Sequence, residues 1–105
     1  MLKFEIKKKK LTKWGYSHYC LFLPSSIMSA YNWEKGESIK IVIMENEVVI
    51  RKRNTKGIPK KLCRNGYTVV LPAKIMKAYG WKEGENVSVI ITPKKVTVRK
   101  NQQGE

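Results

Sequence analysis

The side chains in this sequence that could do chemistry are its cations, and the chemistry they suit is phosphate binding. There are 22 Lys and Arg against 8 acids, all Glu, for a formal net charge of +14 on 105 residues. Both halves share the imbalance, with +6 over residues 1–53 and +8 over 54–105. Such a charge favours a polyanion partner, nucleic acid first and an anionic membrane second. Solubility alone would be served better by acids. The cations gather at Lys7, Lys8, Lys9 and Lys10, at Lys13, and along Arg51, Arg53, Lys56, Lys60, Lys61 and Arg64. Only four are arginine, so positioning on phosphates should outweigh the reading of base edges. Trp14, Tyr16 and Tyr67 stand beside the cations. They could stack on bases or pack the hairpins that carry them.

Other chemistries find little to build from. His18 is the single histidine and aspartate is absent, so a Ser-His-Asp or Cys-His-Asp arrangement cannot form and only a version with Glu stays formally open. His18 with Cys20 is not a metal-ligand spacing. Cys20 and Cys63 occupy unrelated places and read as reduced thiols. Gly15, Gly36, Gly66 and Gly84 are isolated, so no phosphate-cradling loop is present. The expectation is a non-enzyme with no catalytic residue, metal, cofactor or small-molecule ligand. No run of 18 apolar residues or secretory pattern occurs, which predicts a cytoplasmic protein without a membrane partner.

The elements that must position these cations come from a duplication. Leu23–Glu37, LPSSIMSAYNWEKGE, returns 48 residues later as Leu71–Glu85, LPAKIMKAYGWKEGE. Without a gap, 13 of the 30 pairs from Leu23/Leu71 to Lys52/Lys100 are identical. Two copies are too few for a solenoid, and about 50 residues make a marginal core, so the halves should share one. Upstream, Lys9-Lys10-Leu11 and Gly15-Tyr16 match Lys60-Lys61-Leu62 and Gly66-Tyr67 at an offset of 51. The first copy therefore carries three extra residues near Ser17-His18-Tyr19, expected at a hairpin tip.

Each copy reads as strand, strand, short helix, strand, strand. Phe4 and Ile6 alternate with polar neighbours, and the lysine run after them suits an edge strand over 3–13. Tyr19–Leu23 and Tyr67–Leu71 are apolar strands that end at Pro24 and Pro72, each taken as the first helical residue. Ile27, Ala30 and Tyr31, like Ile75, Ala78 and Tyr79, predict one buried stripe per helix. Asn32 and Gly80 suit left-handed helix ends, Trp33 and Trp81 should plug the core, and Gly36 and Gly84 make turns. Ile39–Ile43 and Val87–Ile91 predict strands partly buried on both faces, returning as Val48–Ile50 and Val96–Val98.

The Leu-Pro, the short helix closed by Asn or Gly and a large apolar residue, the Gly-Glu turn and the paired closing strands resemble the AbrB/MazE/SpoVT family of swapped-hairpin DNA-binding domains. The resemblance covers roughly residues 7–53 and 58–100, and Arg64–Pro72 is its closest stretch. Family members are normally dimers of such units. The resemblance implies a mainly β fold with two short helices, a swapped-hairpin β-barrel formed as an intramolecular pseudo-dimer. It implies one domain over 1–105 from repeats 3–53 and 58–100, with a disordered tail at 101–105. Function follows as duplex DNA binding, as a nucleoid-associated transcriptional regulator. Non-specific architectural binding is the alternative, and an antitoxin the least favoured one. The resemblance implies contacts from Lys9, Lys10 and Lys13, from Lys60, Lys61 and Arg64, and from the helix residues Lys74 and Lys77. Where the second helix has Ala73, Lys74 and Lys77, the first has Ser25, Ser26 and Ser29, so the two half-surfaces should differ. The partner is double-stranded DNA, bound by a monomeric pseudo-dimer with room for a higher oligomer.

Overall fold

A computed structural model of the chain describes residues 3–15, 17–52, 56–63 and 67–100, with Trp14 described in its backbone alone. The expectations for Tyr16, Arg53, Arg64, the Trp14 side chain and the tail 101–105 lie outside the described residues. The described residues are mainly β with two short helices. In order they are β1 (Phe4–Lys10), β2 (Thr12–Trp14), β3 (His18–Phe22), α1 (Ser25–Ala30), β4 (Ser38–Ile43) and β5 (Glu47–Lys52), then β6 (Ile58–Lys61), β7 (Thr68–Pro72), α2 (Ala73–Ala78), β8 (Asn86–Ile91) and β9 (Lys95–Lys100).

A six-stranded antiparallel sheet runs β1-β8-β9-β5-β4-β6, and a three-stranded one runs β2-β3-β7. The first strand of each copy is bonded into the other copy. β1 pairs with β8, and β6 pairs with β4. The copies also meet in the middle of both sheets, where β5 pairs with β9 and β3 with β7. The sheets are not closed into a barrel, contrary to the expectation. β1 and β6 remain edges, and β1 is blunted by its lysines and by a register shift between Ile6 and Lys9.

Leu11 interrupts the expected strand over 3–13. Its side chain is fully buried, and its backbone turns to receive Gly84 N–H at 2.8 Å and donate to Glu85 O at 3.0 Å. The chain thereby leaves the large sheet and enters the small one. Ile39, Ile41 and Ile43 and their counterparts Val87, Val89 and Ile91 are buried on one face. The opposite face, with Lys40, Val42, Ser88 and Ile90, is half-buried or exposed. Both faces are thus partly buried, as expected, since Val49 and Thr97, which pair with Val42 and Ile90 on the outer face, are themselves buried. The buried face joins Leu21, Leu23, Val69 and Leu71 of β3, β7 and their ends in one core drawn from both copies.

The helices are six residues each, and proline stands one residue before the first turn rather than within it, with φ −68 at Pro24 and −70 at Pro72. Each helix closes on a left-handed residue, Asn32 (φ 72) or Gly80 (φ 87), as expected. Trp33 N–H reaches back to Met28 O and Trp81 N–H to Met76 O, both at 2.9 Å, which satisfies carbonyls the helix would leave open. This closure fixes which face is buried. Met28 and Met76 are fully inside, while Ala30 and Ala78 are exposed, Ile27 and Tyr31 half-buried, Ile75 37% exposed and Tyr79 42% exposed. The expected stripe is thus rotated by about one residue.

Trp33 and Trp81 are buried, as expected, and each reaches into the opposite copy. Trp33 Nε1–H donates to Thr92 O and Trp81 Nε1–H to Met44 O, both at 2.8 Å. Over each indole lies a lysine ammonium, Lys52 at 5.0 Å and Lys100 at 5.1 Å from the ring centroid. The same ammoniums donate to Asn32 O at 2.9 Å and Gly80 O at 3.1 Å. No helix among the described residues is long and apolar enough to cross a membrane.

Candidate nucleic-acid interface

The hairpins are set by the β3–β7 pair. Its antiparallel register, with His18 opposite Pro72 and Phe22 opposite Thr68, sends the two hairpins to opposite ends of the small sheet. In the first hairpin Thr12 pairs with Cys20, and in the second Cys63 pairs with Thr68. The first extends three residues further, adding the pairs Lys13–Tyr19 and Trp14–His18. The extra length predicted at a tip is there. It brings Ser17 O against the Ala73 N–H at 2.9 Å, so the tip of the first copy docks on the helix of the second.

The candidate residues therefore combine across the copies. Lys13, exposed on β2, shares an open cleft with Lys77, Lys82, Gly80, Trp81, Glu83 and Tyr19. Lys74 is exposed one turn earlier on α2. Lys7, Lys8 and Lys10 are exposed on β1 and lead toward the same end, with Lys10 opposite Asn86, just past the Glu83–Glu85 turn. Lys9 opposes Val87 on the inward face and is half-buried, a placement that lays an alkyl stem over apolar neighbours. Two acids lie close by: Glu83 stands 3.9 Å from Lys13 with both side chains well exposed, and the Glu85 carboxylate accepts from the Lys82 N–H at 2.9 Å.

Tyr19 forms the wall of this cleft. It is 1% exposed, and burial pushes its phenol above the ordinary value, helped by the charges of Glu83 and Glu85. Tyr67, its counterpart, is buried and donates from its hydroxyl to Trp33 O at 2.9 Å. Tyr67 thus packs the hairpin, the plainer of the two sequence readings.

The other end is poorer in cations. Lys56 is exposed before β6, Lys60 opposes Ile39 half-buried, and Lys61 is exposed opposite Ser38. The helix beside it, α1, offers Ser25, Ser26 and Ser29, all exposed. β6 and β1 are the two outer strands of the large sheet, five strand spacings or about 24 Å apart.

Arg51 belongs to neither end. It opposes Lys40 and Lys95 on the face of the large sheet that points away from the core. Sequence reasoning missed Lys82, Lys40 and Lys95. Lys82 replaces Glu34 of the first copy, and Lys95 replaces Glu47, so the charge differences between copies would have flagged both.

No family model matches the chain, and no curated protein or solved structure does.

Proposed function

We propose that the chain binds duplex DNA through the end where the first hairpin meets the second helix, with Lys13, Lys74, Lys77 and Lys82 at its centre and Lys7, Lys8, Lys9 and Lys10 as its arm. The observation that carries this reading is the cross-copy cleft, where cations from two sequence-distant elements line one open surface. Lys56, Lys60 and Lys61 form a weaker second contact at the opposite edge, with Arg53 and Arg64 assigned to it from sequence alone. The mutual exchange of β1 and β6 supports the swapped-hairpin, AbrB-like pseudo-dimer within one chain, and with it a single domain built of the two repeats. The role that follows is a nucleoid-associated, cytoplasmic transcriptional regulator.

One observation favours the architectural alternative. Every described cation of the cleft is lysine, a point charge that holds phosphate but does not fork onto a guanine edge. A titration against random and selected duplexes at several salt concentrations separates the readings. Contact with about six phosphates gives a slope of log affinity against log salt of roughly −5. A slope near zero removes DNA binding altogether. A selected duplex bound no more tightly than random sequence leaves the architectural role.

A further inference from the structure

The large sheet has a feature that the hairpin site does not use. On the face away from the core, Lys40 of β4 is directly opposite Arg51 of β5, and Arg51 is directly opposite Lys95 of β9. Three cations thus stand in one cross-strand row, and like charges placed directly opposite one another oppose sheet formation. The ion pairs Lys13–Glu83 and Arg99–Glu47 do not reach this row. The duplication supplies an internal comparison. Shifted by 48, Lys40, Arg51 and Lys95 become Ser88, Arg99 and Glu47. That second row closes on itself, with Arg99 Nε–H donating to Glu47 at 3.1 Å. One row is self-neutralised, and its equivalent is left entirely cationic.

Between the rows lie Val42, Val49, Thr97 and Ile90, paired across four strands and all uncharged. The middle of the face is therefore uncharged, β-branched and bordered on one side by a short cationic ladder. Two strand spacings separate its outer members, about 10 Å, enough to follow neighbouring phosphates along one strand of a duplex.

We propose that the Lys40–Arg51–Lys95 row is a second phosphate-backbone site, and that with the hairpin cleft on the core side of the sheet it lets one molecule hold two duplex segments. The inference rests on the DNA-binding reading above and adds that the second duplex lies on the opposite face. Charge complementarity to a polyanion selects this occupant: the row carries three positive charges and no acid.

The experiment uses the full chain on an immobilised duplex and measures capture of a second, labelled duplex. Lys40→Ser with Lys95→Glu converts the row into its own equivalent, using residues the fold already accepts at matching positions. This double variant should still bind the immobilised duplex and lose at least about tenfold of second-duplex capture. The reverse change, Ser88→Lys with Glu47→Lys, should raise capture. Equal capture by wild type and the first double variant overturns the inference, as does binding of the immobilised duplex with no capture of the second. Failure to bind even the immobilised duplex removes the underlying reading as well. The sedimentation mass without DNA is measured alongside. A wild-type dimer that Lys40→Ser with Lys95→Glu makes monomeric overturns the inference in favour of a protein contact.

Discussion

Trp33 and Trp81 each do three things at once. The indole fills the core, its N–H ties down the turn carbonyl of the other copy, and its ring face receives a lysine that also caps the preceding helix. Trp33→Ala and Trp81→Ala should each cost about 3–5 kcal/mol in chemical denaturation. Trp33→Phe, which keeps an aromatic ring but removes the N–H donor and part of the buried volume, should cost less, about 2–3 kcal/mol. Gly80→Ala should lose about 1–2 kcal/mol, because φ 87 is left-handed, while Asn32→Gly should be near neutral. Tyr19 gives a pH dependence. Its folded phenol holds its proton more tightly than an unfolded tyrosine, so its contribution is full below about pH 10 and falls as pH rises past it. Midpoints of unfolding against pH should decline less steeply there for Tyr19→Phe than for wild type. At this scale the sequence was a good guide where backbone chemistry is local. Left-handed Asn32 and Gly80, turning Gly36 and Gly84 and the buried tryptophans all follow from residue type. The helix stripe was misjudged because six residues make under two turns. Over so short a length the closing contact of Met28 with its Trp33 backbone, and not the periodicity, decides which face goes in.

Elements are held mostly by partners from the other copy. Among the described residues β6 pairs only with β4, and β1 only with β8, so neither first strand has a ladder there within its own half. A polypeptide of residues 54–105 should therefore dimerise or stay unfolded. Sedimentation and circular dichroism distinguish these from a stable folded monomer, which would contradict the shared core. Strand positions were legible from alternation, and the edge character of β1 from four consecutive lysines that cannot all turn away from a packed neighbour. The break at Leu11 was not legible. One apolar residue after a charged run looks the same in sequence whether the strand continues through it or turns there. Closure was not legible either, since the number of sheets depends on where the chain changes partners, which no local pattern records.

Across the whole molecule, the duplication has preserved the core while the surface has diverged. The paired positions Lys82 and Glu34, Lys77 and Ser29, and Lys95 and Glu47 each place positive charge on one copy's side only. The basic character of the protein was plain from composition, but its distribution was not. Lys13 and Lys77 are far apart in sequence and meet only because β3 pairs with β7. Arg51, grouped by sequence with Arg53 and Lys56, is turned by strand alternation onto the far face. The exchange of first strands also sets an order of events. Phe4 finds its partner at Ile91, across nearly the whole length described. During synthesis β1 must wait, unpaired, until β8 has been made. The strand made first is thus among the last to dock, and refolding should be slow for a chain of this size, on a scale of milliseconds to seconds.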